Sequence, residues 1–304
     1  VEDRIVKSIV MPAFFKDTIY NDASFKEKLN IILKQNFYEG VEFYFNGSNE
    51  QENEVRKCLI ESKLYSVFLA GNPMKRDNID LGALDEDKRL YSVSFVKQLI
   101  DKAYFYGSKK MLILSGKVPC SEEDSQKAFL HLVESIKELC KYSVKKTQSY
   151  VLDITLEYFN NTGEPYFLVG PYSLALELVK AVQEDCKNFE ITFDLSHSIQ
   201  LKEEPVNAIT QLSEYVNHIH LANCVINDSS NPYFGDKHPP FNVENGEVYD
   251  KDLLKFIAET KELKCFKRKD KLSVVGLEVI TPHNADEIGM FYNMTNIFEK
   301  IIST

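Results

Sequence analysis

The chain has 304 residues, 44% of them apolar, and 36 Lys and Arg against 46 Asp and Glu leave a net charge of −10. That acid excess argues against a nucleic-acid backbone as partner, and no run approaches the ~18 consecutive apolar residues of a membrane span. Cys58, Cys120, Cys140, Cys186, Cys224 and Cys265 are widely spaced with no CxxC pair. They read as separate reduced thiols in a cytoplasmic chain, and the opening Val1-Glu2-Asp3-Arg4 does not read as a signal peptide.

In chain order, eight short β-rich segments recur: Ser8–Phe14, Gly40–Phe45, Tyr65–Leu69, Lys110–Leu114, Tyr150–Tyr158, Glu190–Leu195, Val216–Leu221 and Leu272–Ile280. Between them lie stretches long enough for amphipathic helices. Ser94–Tyr106 carries Phe95, Leu99 and Ala103 at helical spacing, and Ala128–Tyr142 does the same with Leu130, Val133, Ile136 and Leu139. Strands alternating with helices imply βαβ units, and eight of them fit a closed (β/α)8 TIM barrel formed by residues 1–304 as a single domain. No Gly-rich fingerprint follows the first segment, which weakens a dinucleotide-binding fold. Two connections are longer than a barrel requires: residues 71–87 after strand 3 and residues 223–250 after strand 7. Both follow strands, so both belong to the C-terminal face, where barrel active sites occur.

Four polar residues stand at or beside the C-terminal ends of otherwise apolar segments: Glu157 on strand 5, Asp194 on strand 6, His220 on strand 7 and Glu278 on strand 8. Side chains alternate along a strand, so His218 and His220 share one face while Ile219 and Leu221 share the other. If the aliphatic pair meets the outer helices, both imidazoles point into the barrel. Three carboxylates on one rim repel unless a cation or protons compensate them. Oxygen ligands with one imidazole suit a divalent ion such as Mn, Mg, Co or Zn. His197 lies three residues beyond Asp194, and the strand-7 connection carries Asp236-Lys237-His238. For His131, on a helix, and His283, after strand 8, a structural role is expected.

Glu157, Asp194-Leu-Ser-His197, His218-Ile-His220, Asp236-Lys-His238 through Gly246-Glu-Val-Tyr-Asp250, and Glu278 together resemble the xylose-isomerase-like barrel superfamily. Asn78-Ile-Asp-Leu-Gly82 through Arg89 and Ile100-Asp-Lys-Ala-Tyr-Phe-Tyr-Gly107 resemble its first half. That superfamily includes sugar isomerases and epimerases, inosose dehydratases and zinc endonucleases acting at abasic sites. The resemblance implies that Glu157, Asp194, His220 and Glu278 bind one divalent metal. By similarity to the ketose 3-epimerases, Glu157 and Glu278 would also transfer protons, with His197 contacting a substrate oxygen. In those epimerases an Arg stands where this chain has Ile226. Glu42 and Lys117 are further candidates for substrate hydroxyl contacts, and Asp236 and His238 for orienting a ligand or the substrate.

The implied activity is isomerisation or epimerisation of a ketose, aldose or related polyol through an enediolate. Inosose-type dehydration on the same metal site and non-catalytic sugar binding are the alternatives. The endonucleases also need histidines after strands 3 and 4, where this chain reads Leu69-Ala-Gly-Asn72 and Leu114-Ser-Gly-Lys117. The basic run Lys261–Lys271 precedes strand 8 and so belongs toward the opposite end of the barrel, as a solvated surface. Val279 to Asn284 contains no glycine, which favours an unphosphorylated substrate. A homo-oligomer is left open.

Overall fold

The computed structural model describes residues 5–147, 149–160, 167–268 and 270–303. Eight strands are β1 (Ile5–Ile9), β2 (Gly40–Phe43), β3 (Tyr65–Leu69), β4 (Lys110–Ile113), β5 (Asp153–Glu157), β6 (Phe189–Asp194), β7 (Val216–Leu221) and β8 (Ser273–Leu277). They pair in parallel in the order β1-β8-β7-β6-β5-β4-β3-β2. The remaining seam between β1 and β2 is joined by a parallel bridge from Val10 to Glu42 and by the Glu39 amide donating to Lys7 O at 2.8 Å. The result is the (β/α)8 TIM barrel that the alternation predicted. Among the described residues no helix is long and apolar enough to cross a membrane, and the six cysteines are free.

Element ends differ from the sequence reading for local reasons. The expected strand Ser8–Phe14 is displaced: the strand is Ile5–Ile9, and Met11–Phe14 forms a helical turn. Pro12 sits at the start of that turn, where its missing N–H costs no hydrogen bond. Leu195 leaves the expected strand Glu190–Leu195 because Asp194 caps a helix over Leu195–Gln200. The expected Tyr150–Tyr158 shortens to β5, with the Leu152 amide bonded to Tyr104 Oη instead of a neighbouring strand. Leu272–Ile280 shortens to β8, and the Ile280 amide turns to His238 O. The helix expected over Ser94–Tyr106 runs Glu86–Tyr106, because the Asp85 side chain accepts from the Lys88 amide at 3.0 Å. Ser121 likewise starts Glu122–Lys146 earlier than the apolar spacing alone suggests. The connection 71–87 therefore contains one short helix, Gly71–Arg76, and the first turn of another.

Period-two alternation organises the barrel interior. Along β5, Asp153, Thr155 and Glu157 fall on one side, and along β6 Glu190, Thr192 and Asp194 do the same. At the N-terminal end, Lys110 donates to Glu190 Oε2 at 2.8 Å and to Asn217 Oδ1 at 2.5 Å. Lys271 donates to Glu190 Oε1 at 3.0 Å and to Asp153 Oδ1 at 2.9 Å. Asn217 reaches this layer because the β6–β7 register jumps from Ile191–Val216 to Thr192–His218, a bulge that re-aims it. Above it, Thr155 and Thr192 hydroxyls meet at 2.7 Å, and Thr192 reaches His218 Nδ1 at 3.0 Å. Glu157 and Asp194 form the top layer. Ile219 and Leu221 pack into the main apolar core, so β7 points both histidines into the barrel.

The floor is a buried ion network. Burial alone would raise the Glu190 carboxyl, but Lys110 and Lys271 outweigh it and hold it below its ordinary value. Removing Lys110 leaves Glu190 with the more exposed Lys271. Lys110→Met should therefore destabilise the protein by about 3–5 kcal/mol, toward the lower end, because Lys271 remains. Urea unfolding measures this; a loss under ~1 kcal/mol would show that the pair adds no more than an exposed salt bridge does.

Candidate metal centre

Each rim residue is presented by the strand it ends. Glu157 closes β5, His220 is the penultimate residue of β7, and Glu278 follows β8 with its amide bonded to Leu221 O at 3.1 Å. Asp194 closes β6 and divides its two oxygens. Oδ1 accepts from the His197 amide at 3.0 Å and from the Ser196 hydroxyl at 2.6 Å, capping the helix Leu195–Gln200. Oδ2 is buried and accepts no hydrogen bond among the described residues. His220 Nδ1 lies 2.8 Å from Glu278 Oε2, 3.3 Å from Glu157 Oε1 and 4.0 Å from Asp194 Oδ2. One ligand atom from each of the four lies within 4.8 Å of all the others.

This donor set fits a divalent cation. Ligands at about 2.0–2.6 Å from one ion stand up to roughly 4–5 Å apart across it, which is the spacing found. Asp194 Oδ2 and Glu278 Oε2 both lack hydrogen-bond partners among the described residues, and an unpartnered buried carboxylate oxygen is costly unless a cation meets it. Burial pushes the Glu157 carboxyl above its ordinary value in spite of His220 and His197. Burial also opposes charge on Glu278, but His220 and His238 outweigh it and draw that carboxyl down to about 2.

A second layer comes from the β7 connection. Asp236 Oδ1 lies 3.2 Å from His197 Nε2 and 2.8 Å from His238 Nε2. Ser196 Oγ links His238 Nδ1, at 3.3 Å, to Asp194. Asp194, His197 and His238 form another group of close ligand atoms. Burial opposes charge on both rings, yet Asp194 and Asp236 lift His197 to about 9, and Glu278 and Asp236 lift His238 to about 10.

A cavity of about 500 Å³ opens above these groups, with Glu157, His197, His220, Asp236, His238 and Glu278 on its polar wall. Seven of the nine expected site residues therefore either line this cavity or, like Asp194, stand against the residues that do. Glu157, Asp194, His197, His220, Asp236, His238 and Glu278 are brought together. Glu42 and Lys117 are not part of that wall. Glu42 is fully buried beneath His218 and His220. Lys117 lines a neighbouring cavity of about 750 Å³, where its ammonium donates to Asn78 Oδ1 at 3.3 Å.

Several contributors escaped the sequence reading. Phe159 stacks on His197 with ring centroids 4.1 Å apart, and Lys75 rests 5.0 Å from the Phe159 ring while lining the cavity. Phe159 stands two residues after Glu157, a spacing that could have singled it out. Lys75 comes from a helix read as loop. Elsewhere, His131 Nδ1 contacts Ala83 O at 2.8 Å, a structural role. In the basic run, Lys264 pairs with Glu214, Lys267 with Glu262, Arg268 with Asp270, and Lys271 joins the floor; Lys269 lies outside the described residues.

The model of the xylose isomerase-like TIM barrel family matches residues 33–261. No curated protein sequence matches the chain. Among solved structures, the fold is similar to D-psicose 3-epimerase from Clostridium cellulolyticum H10, solved with D-tagatose: TM-score 0.65 and 16% identity over 98% of this chain and 95% of that one. It is also similar to the probable 3-DHS dehydratase AsbF from Bacillus anthracis, with TM-score 0.65 and 18% identity over 97% and 99%. The IOLI protein, solved with a binding zinc atom, superposes with TM-score 0.70 and 13% identity over 98% of each chain.

His197 and His238 make the metal-free protein pH-sensitive in a defined direction. Both folded values lie above the ordinary 6.5, so their contribution to stability is complete below about 6.5 and is lost as pH rises through about 9 and about 10. Asp236→Asn should flatten that decline. Urea unfolding of chelator-treated protein across the window measures it; parental stability that stays level or rises there would show both rings neutral.

Proposed function

The chain belongs to the family of xylose isomerase-like TIM barrels, and from that premise we propose that it is a divalent-metal-dependent sugar isomerase or epimerase. One observation carries the reading: Glu157, Asp194, His220 and Glu278 converge within 4.8 Å at the C-terminal mouth, with two carboxylate oxygens unpartnered among the described residues. These four would hold one ion of the Mn, Mg, Co or Zn class. When bound, the ion supplies Lewis acidity to the carbonyl and adjacent hydroxyl of a sugar or polyol, acidifying the α C–H.

The remaining chemistry belongs to the chain. Glu157 and Glu278 arrive from β5 and β8 on either side of His220, so they face a molecule in the cavity from different directions. One carboxylate takes the α-proton, and the other returns a proton to the opposite face or to the neighbouring carbon. Opposite-face return inverts the centre; neighbouring-carbon return interconverts aldose and ketose. His197, stacked on Phe159 and tied to Asp236, is held in place to donate a hydrogen bond to a substrate oxygen. His238 acts on Asp194 through Ser196, which supports an orienting role for the Asp236–His238 pair.

One feature favours dehydration as a second reading. The cavity presents two imidazoles, His197 and His238, whose carboxylate neighbours favour the protonated form. Such groups can protonate a departing β-hydroxyl after the same α-proton abstraction. Incubation with ketoses, aldoses and inososes in deuterated water separates the readings by NMR. Solvent deuterium entering an intact sugar marks isomerisation or epimerisation, whereas loss of the hydroxyl marks dehydration.

Two outcomes are expected. The protein should bind about one divalent ion per chain, and stripping it should lower the melting temperature and abolish exchange; two or three ions under saturating zinc, with cleavage of abasic DNA, would replace this reading with a nuclease. Glu157→Gln and Glu278→Gln should each lower exchange by about 10²–10⁴-fold. A variant that keeps metal and exchanges at the parental rate would clear that glutamate of proton transfer.

A further inference from the structure

Glu42 lies outside the cavity, yet its carboxylate meets the site from below. It is fully buried on β2, which is separated from β7 by β1 and β8 around the barrel. Its Oε2 accepts a hydrogen bond from His220 Nε2 at 3.0 Å. The other ring nitrogen, Nδ1, faces Glu278 Oε2 at 2.8 Å and Glu157 Oε1 at 3.3 Å. The imidazole is thus clamped between a carboxylate beneath it and the carboxylates of Glu157 and Glu278 above it.

Space is reserved for this arrangement. A Cβ at position 276 would fall 2.2 Å from Glu42 Oε1 and 3.0 Å from the His220 ring. Only glycine at this point of β8 lets the carboxylate and ring sit side by side. His218 completes the surroundings. Its Nδ1 is engaged by Thr192 at 3.0 Å, and its Nε2 lies 2.9 Å from Glu42 Oε2. Glu42 Oε2 therefore meets both imidazoles of β7, and of the two only His220 also faces the carboxylates of the mouth.

We propose that Glu42 is a positioning residue that fixes His220 in its Nε2–H form, so that the Nδ1 lone pair is presented to the ion held with Glu157, Asp194 and Glu278. Neutral imidazole carries one N–H, and the nitrogen left without it is the one that can donate electrons to a metal. A carboxylate accepting the other N–H fixes the tautomer and ring plane and strengthens the ligand's basicity. His218 stands outside that group of four, with its Nδ1 engaged by Thr192. The assignment rests on the metal reading above, but it specifies a property that reading leaves open: which nitrogen binds, and which residue decides it.

The test uses the whole protein loaded with Zn²⁺. Long-range ¹H–¹⁵N correlation spectra of histidine-labelled protein, assigned with His220→Gln, report which nitrogen of His220 carries the proton. Competition against a chromogenic chelator reports zinc affinity. The parental protein should show the proton on Nε2. Glu42→Gln, close in shape and able to fold where Glu42→Ala leaves a cavity, should bind zinc about 10–100-fold more weakly. Glu42→Leu, which offers no acceptor, should in addition lose the single tautomer. Melting of the metal-free variants checks that the barrel is intact. A proton on Nδ1 in zinc-loaded parental protein would overturn the assignment, as would Glu42→Gln binding zinc as tightly as the parent. Failure of the parental protein to take up zinc at all would overturn the metal centre itself, and this inference with it.

Discussion

Charge buried inside the barrel must be neutralised within a few ångströms, and the two ends meet that constraint differently. At the floor, Glu190 and Asp153 are answered by Lys110 and Lys271, so the layer is complete from the chain's own residues. At the mouth, Glu157, Asp194 and Glu278 converge on a single imidazole ring, and two of their oxygens are left without partners among the described residues. The same alternation along β5 and β6 produces both layers, so the contrast comes from what faces them. Lysines stand opposite the lower carboxylates; more carboxylates stand opposite the upper ones. The floor is neutralised by the chain's own lysines, whereas the carboxylates at the mouth are arranged consistently with a divalent cation. This division accords with the general pattern in which barrel chemistry gathers at the C-terminal face while the N-terminal face serves stability.

Much of this was legible in the chain. The repeated β-rich segments identified the barrel, and Glu157, Asp194, His220 and Glu278 stood out because a charged or imidazole residue ended an apolar run four times in succession. Element ends were harder to read. Pro12 turned an apolar run into a helical start, and Asp85 and Ser121 began helices well before their apolar spacing did. Glu42 shows the deeper difficulty. Within Gly40–Phe45 it is one polar residue on a short strand, and nothing local reveals that its carboxylate reaches the histidines of β7. Only barrel closure brings it under His220. Phe159 likewise meets His197, and Lys75 meets the Phe159 ring, only through the packing of separate connections.

The four residues proposed as ligands stand at the strand ends, and further charged groups line the cavity beside them. Lys16 and Lys75 also line the cavity, and the β7 connection brings Asp236 and His238 to it. A fold of this kind hosts several chemistries because loops change while strand ends persist. Here the β7 connection is anchored at both ends: Val225 bridges to Phe234 and Gly235, and the Asn223 amide holds Pro240 O. That anchoring lets an extended segment without regular structure present an Asp and a His to fixed partners.

The divided carboxylate of Asp194 has a consequence for how this site can change. One oxygen holds the start of the helix bearing His197, while the other is offered to the mouth. A longer glutamate could reach the mouth only by moving its oxygen off the His197 amide. Asparagine is as good a cap but would turn an NH₂ toward the place meant for a cation. Serine would keep the cap and forfeit the charge. No single replacement keeps both the cap and the carboxylate oxygen turned to the mouth, so the two features are tied into one heritable unit, and drift at this position must disturb both together.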